Sequence, residues 1–249
     1  MTTRTLSLVV LATLLVSGVM HGQMVHRLKG SIRTTANVPL ANATVRADAI
    51  TGFRGEPFAG AKEQSTTSLP SGEWNITGLE AGLWMFSTSA PNMLPAVIVI
   101  PVKFSQRQQV SAIGNAISWQ LPMWAIPVNQ HQILKIAVDL IASGKMEEAS
   151  QALTVALGPD ASDDTRVAAG EMALLTRQHA LARTLFDMVL QKDPKHPRAK
   201  LGSASSALMA LQWEAAGKIV WDARDLVPKE QRPALAAAID DLRGIARIQ

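Results

Sequence analysis

The chain contains no cysteine and no tyrosine in 249 residues, and aromatic side chains make up only 4% of it. Without thiols there is no disulfide framework, no thiolate nucleophile and no cysteine to carry a lipid anchor, so stability has to come from packed apolar cores. Histidine is sparse too. His21, His26, His131, His179 and His196 are scattered, and none stands in H-x-x-E or H-E-x-x-H, so no metal site is read. Equally missing are a G-x-S-x-G elbow, a G-x-x-x-x-G-K-[ST] loop and a G-x-G-x-x-G turn. These absences leave no catalytic residue to name and no cofactor to expect, and point away from an enzyme.

Charge does not single out a partner either. Lys and Arg total 24 against 20 Asp and Glu, for a net charge of +4 and a pI near 9.6. Eight basic residues face five acidic ones between Gln23 and Val128, whereas Asn129 to Gln249 holds fifteen of each. No basic face follows, and nucleic acid is excluded as a partner. The densest basic stretch, Lys192 to Lys200, is interrupted by Pro194 and Pro197 and reads as a solvated turn. Asp160, Asp163 and Asp164 precede a helix start near Thr165 and read as N-terminal capping rather than a cation site.

Residues 1–22 read as a secretory signal peptide. Arg4 supplies one cation, an apolar run extends from Leu6 to Val16 broken only by Ser7 and Thr13, and Ser17, Gly18 and Gly22 follow. The run is short of the roughly 20 residues that span a bilayer, with an uncleaved anchor as the alternative. An exported chain is expected, periplasmic or extracellular in a bacterial cell envelope, with membrane contact only through this segment.

Between residues 23 and 122 the pattern is all-β. Short alternating runs at Leu28 to Thr34, Ala43 to Asp48, Glu73 to Ile76, Gly82 to Ser89, Ala96 to Val102 and Ile117 to Leu121 are separated by Gly and Pro turns. Within Gly82 to Ser89, Trp84, Phe86 and Thr88 fall on one face and Met85 and Ser87 on the other. The polar stretch Thr51 to Ser68 reads as a long inserted loop. Three motifs stand in order: Lys29-Gly30-Ser31, Val38-Pro39-Leu40 with Ala43 and Val45, and Gly78-Leu79-Glu80-Ala81-Gly82-Leu83-Trp84. The region resembles the carboxypeptidase regulatory-like domain, a transthyretin-like β-sandwich. The resemblance implies a non-catalytic appendage.

The C-terminal half repeats itself. Ala182, Phe186, Val189 and Pro194 recur at one fixed displacement as Ala216, Val220, Ala223 and Pro228, and Ala149, Leu153 and Ala156 precede the first set by nearly the same displacement. Spacings of three and four mark one face of a helix, and Pro marks its end. The small residues Ala137, Gly170 and Ala204 recur in step with them. Together the pattern resembles the tetratricopeptide (TPR) repeat, a helix-turn-helix unit with a period of about 34 residues. Its early Trp and Tyr are replaced here by Ile133 and Leu140, then by Arg166 and Ala173.

The expected architecture is therefore multidomain: an all-β sandwich, transthyretin-like or Ig-like (23–122), a linker (123–129), and an all-α TPR-type solenoid (130–249) closed by a capping helix from Pro233 to Ile248. The resemblance places Leu134, Val138, Ile141, Val167, Glu171, Leu174, Leu201, Ser205 and Leu208 on the inner groove. Mostly apolar, the groove would take a helix or hydrophobic segment of another protein, with packing on the sandwich or the capping helix as the alternative. Trp119 and Trp124 mark the domain junction. The expected function is an exported interaction scaffold with a cell-envelope protein as partner. The alternative is a carbohydrate- or cell-wall-binding accessory protein using Trp74 or Trp84.

Overall fold

The computed structural model describes residues 26–34, 36, 38–58, 63–102, 120–127 and 131–223. The expected signal peptide, Trp119 and the C-terminal capping helix lie outside these residues. Eight strands come first: β1 His26–Thr34, β2 Thr44–Thr51, β3 Glu63–Thr67, β4 Glu73–Leu79, β5 Gly82–Ser89, β6 Met93–Leu94, β7 Val97–Val102 and β8 Gln120–Pro127. They form two four-stranded sheets, ordered β4-β1-β8-β6 and β3-β2-β5-β7. The second sheet is antiparallel throughout, while in the first β1 runs parallel to β8. A shared core from both sheets, with Ile32, Trp74 and Ile76 facing Val45, Trp84 and Phe86, makes the pair a sandwich.

Two sequence readings are corrected here. β8 runs to Pro127, through residues expected to form a linker, because it pairs with β1 from Lys29↔Gln120 to Thr34↔Ala125. The expected loop from Thr51 to Ser68 ends in β3, which pairs with β2, and its Phe58 lies against Trp84 at a ring separation of 5.5 Å. Polar composition hid β3 because its side chains are almost all exposed on a sheet edge.

Three glycines of the sandwich have physical reasons. Gly30 pairs with Trp74 across β1 and β4, and a Cβ at Gly30 would overlap the indole ring. Trp74 is in turn stacked on Phe86 with centroids 5.7 Å apart. Gly30→Ala is expected to destabilise the protein by about 1–3 kcal/mol, as overpacking does. Urea denaturation would measure it, and the double variant Gly30→Ala with Trp74→Phe should recover part of the loss. Gly78 and Gly82 both have positive φ, 91° and 150°, and Trp84 Nε1 closes the turn between them by donating to the Glu80 carbonyl at 2.9 Å.

Six α-helices follow among the described residues: α1 Lys135–Ala142, α2 Met146–Leu153, α3 Asp163–Leu175, α4 His179–Lys192, α5 Pro197–Met209 and α6 Trp213–Asp222. They form three antiparallel pairs of TPR type. From Asp163 to Pro197, and from His179 to Trp213, the helix starts advance by the same displacement that relates Ala182 to Ala216. The turn inside each pair holds one left-handed residue, Gly144 (φ 74°), Arg177 (φ 62°) and Leu211 (φ 55°), which repeats the period in the backbone itself. Phe186 of α4 is fully buried against Gly170 of α3 and Gly202 of α5. Gly170 is the small residue read from sequence. Gly202 meets the same ring from the third pair, two residues before Ala204, which is itself buried.

α3 and α5 are buried nearly all round, Thr165 to Leu174 and most of Arg198 to Leu208. A surface helix shows one apolar stripe, but these two have neighbours on both sides. On one side are the second helices of the pairs; on the other is the sandwich. Sheet β3-β2-β5-β7 directs Trp84, Phe86, Ile98 and Ile100 into the sandwich core, and Leu83, Met85, Val97 and Val99 into the core of the helices. Burial on both faces gives β7 and the first half of β5 their nearly unbroken apolar composition.

Candidate functional site

The inner face of the helices, formed by α1, α3 and α5, is divided in two. Over the second and third pairs it is closed by the edge of β7. The Val99 amide donates to Ser205 Oγ at 3.0 Å in a buried bond, and Ser205 Oγ in turn donates to the Leu201 carbonyl at 2.9 Å. Next to it, Arg198 donates through Nε and Nη2 to Glu171 Oε1 at 3.1 and 2.8 Å, with both side chains about 8% exposed or less. Burial pushes the Glu171 carboxyl up to about 7, against the pull of Arg198 and the nearby Val97 amide. Amides along a strand edge point outward at every second residue. The next after Val97 and Val99 is Pro101, which has no N–H to leave unsatisfied. Helices and proline together protect an edge that would otherwise be open to pairing.

The first helical pair is not closed in this way. Val138 and Ile141 of α1 remain half-buried and line a cleft of about 550 Å³ between α1 and the outer face of the sheet. Met85, Met93, Met146 and Leu175 complete its apolar wall. Charged groups stand at its margins. Arg46 is bound to Asp48 by bonds of 2.8 and 3.0 Å through Nε, and Lys135 to Asp139 at 2.7 Å. Arg177 projects from the left-handed turn between α3 and α4.

The nine residues read from sequence thus occupy two environments. Val167, Leu174 and Leu208 are core residues, and Glu171 and Ser205 are buried polar groups at the β7 edge. Leu201 is half-buried. Leu134 is fully buried at the end of a short 3₁₀ turn, Gln132–Leu134, and Val138 and Ile141 face the cleft. Sequence reasoning missed Arg177 and Met85 because a cleft between two domains has no linear signature. The turn position that matches Gly144 in the repeat was the available sign for Arg177.

Three other readings are settled by side-chain positions. Trp74 and Trp84, 3% and 0% exposed, present no ring face to a sugar. The basic stretch Lys192 to Lys200 is not solvated throughout, since Arg198 enters the first turn of α5 and turns inward to Glu171. The cap of α3 is Ser162 rather than an acidic residue: its Oγ accepts from the Thr165 amide at 3.1 Å, while Asp163 and Asp164 lie in the first turn and Asp163 takes Arg166 and Lys192 at 3.1 and 2.9 Å. The side chains thus account for Asp163 without a cation. His131 is buried with Nδ1 2.7 Å from Thr165 Oγ1, and burial lowers its pKa.

A β-sandwich docked on three TPR-type helical pairs defines the architectural class. No family model and no curated protein matches the chain. Among solved structures it is similar to the type III secretion translocator chaperone SycD of Yersinia enterocolitica, at 19% identity and a TM-score of 0.37, covering 45% of this chain and 81% of that one. PcrH of Pseudomonas aeruginosa is similar at 16% identity and a TM-score of 0.36, covering 46% and 89%. Catechol 1,2-dioxygenase of Acinetobacter radioresistens shares 6% identity at a TM-score of 0.29, over 41% of this chain and 52% of that one.

Proposed function

We propose that this chain is an exported, non-catalytic interaction protein whose helical pairs hold a segment of a cell-envelope protein in the cleft beside α1. The observation that carries this reading is the split inner face. Most of it is consumed by the chain's own β7, while the part at Val138 and Ile141 stays open to solvent and walled by methionines. Methionine adapts its shape to different apolar partners, which suits a wall that receives another chain. The sandwich, which we assign to the carboxypeptidase regulatory-like type on its Gly30–Trp74 and Gly78–Gly82 geometry, supplies the opposite wall. Export rests on the charge and hydropathy of residues 1–22.

Val138→Glu tests the binding reading. The position is half-buried, so the carboxylate can reach water and the fold should hold. A partner crosslinked to the wild-type chain in envelope fractions is expected to be lost at least tenfold in the variant, with an unchanged thermal midpoint. Equal retention by wild type and variant would sink the cleft as the binding surface. Fractionation with N-terminal sequencing tests export, and an uncleaved cytoplasmic chain would remove that part of the proposal.

A further inference from the structure

Arg177 stands apart from every other charged group at the cleft. Arg46 is closed on Asp48, with Glu63 a further 3.5 Å contact, and Lys135 is closed on Asp139. Among the described residues no carboxylate lies within ion-pair distance of Arg177, although its charge feels both Asp48 and Arg46 across the cleft. The other two cations of the cleft are thus each bonded to a carboxylate, and Arg177 is left with only the longer-range pull of Asp48. Arg177 is also held in a left-handed conformation (φ 62°), at the position where the first helical pair uses Gly144. A side chain there strains the backbone in a way that glycine would avoid. At the matching position of the third pair, Leu211 packs on the helical core beside Gly55, which gives that side chain a structural reason. Arg177 is exposed as a residue, yet burial at the cleft lowers the pKa of its guanidinium, and no carboxylate bonds to it there.

We propose, resting on the peptide-binding reading above, that the cleft selects an acidic apolar peptide, with one carboxylate held by Arg177 and neighbouring apolar side chains against Val138, Ile141, Met85 and Met93. The guanidinium offers a fork of donors that fits a carboxylate. Arg177 enters the cleft from the turn between α3 and α4, while Met85 is buried and Val138 and Ile141 are half-buried along its apolar wall. Specificity then comes from the single charge and adaptability from the methionines.

A random peptide library displayed on phage, selected on the full chain and in parallel on Arg177→Gln, tests this. Arg177→Gly is the second variant, since it relaxes the left-handed backbone and its effects cannot be assigned to misfolding. Wild type is expected to enrich peptides with an acidic residue among apolar ones, and both variants to keep the apolar preference while losing the acidic one. The strongest selected peptide, resynthesised with glutamine for its acidic residue, should bind wild type about tenfold more weakly, the worth of one charge-assisted hydrogen bond, and bind Arg177→Gln equally in both forms. Enrichment without acidic residues, or an acidic preference that survives in both variants, overturns the role of Arg177 and leaves the cleft standing as a peptide site. Failure to enrich any peptide over an Ile141→Glu control overturns the cleft as a peptide site and this inference with it.

Discussion

Replacing Phe186 by alanine is expected to destabilise the protein by about 3–5 kcal/mol, the range for emptying a buried aromatic site. Its ring is fully buried and joins three helices, α4 to α3 and α5, over the two bare backbones at Gly170 and Gly202. Neither neighbour can move in to fill the space, since each is itself held by the β7 edge on its far side. The converse changes should also be costly. A Cβ at Gly202 would overlap the Phe186 ring, and one at Gly170 would come within 2.7 Å of it. Overpacking of this kind costs about 1–3 kcal/mol for Gly202→Ala. Combining Gly202→Ala with Phe186→Leu should recover a measurable part of both losses, because the two sites are in contact and their effects do not add. Guanidinium unfolding followed by far-ultraviolet circular dichroism would report each of these proteins. Independent, additive losses would show that the ring is not the spacer between α3 and α5.

The same residues show how far the sequence could be read. Phe186 was visible as the bulky partner of Ala182 in the repeat, and Gly170 as the small residue opposite it. Gly202 was not, because it lies two residues short of the repeat position that Ala204 fills and meets the Phe186 of the preceding pair rather than a residue of its own. The longer strands were legible from alternation, down to the opposite facing of Trp84 and Met85, while β3, β6 and the end of β8 were not. What alternation could not reveal was the second use of that outward face, where Leu83 and Met85 join the helical core. For the same reason packing of the inner-face positions on the sandwich stood in the sequence only as an alternative to binding another protein. Ser205 looked like a polar interruption in an apolar groove. In the structure it receives the Val99 amide, a pairing across 106 residues that no local pattern encodes. Serines in α5 also return their hydroxyl protons to the helix, as Ser206 does to the Gly202 carbonyl at 3.0 Å, which lets a polar sequence serve as a buried helix.

Removing Arg198 should have an effect as large as removing Phe186, and one that depends on pH. Arg198→Met leaves the Glu171 carboxylate buried without its counterion, a change worth about 3–5 kcal/mol when the carboxylate is ionised. Glu171 Oε2 and Arg198 Nη1 already lack hydrogen-bond partners among the described residues, so little besides the Val97 amide supports the carboxylate once Arg198 is gone. In the wild type the Glu171 carboxyl is raised to about 7 from 4.5. Between those values the folded chain keeps a proton that the unfolded chain releases, so this group's contribution falls as pH rises from about 4.5 to 7 and levels above it. Without Arg198 the carboxyl is pushed higher still, and the decline should continue beyond pH 7. His131 acts in the opposite sense. Burial lowers its pKa below 6.5, so the unfolded chain takes up a proton first and stability falls as pH drops through that region. The comparison that isolates the carboxyl is Arg198→Met against Glu171→Met with Arg198→Met, since His131 and its Thr165 partner are present in both. Replacing both members of a buried ion pair by apolar side chains is often nearly neutral. The double variant should therefore regain most of the stability and lose the excess pH dependence of the single one. An equal pH profile in the two proteins would mean that Glu171 is not the group that titrates. Retention of stability in the single variant would mean that the pair does not hold the second and third helical pairs to β7.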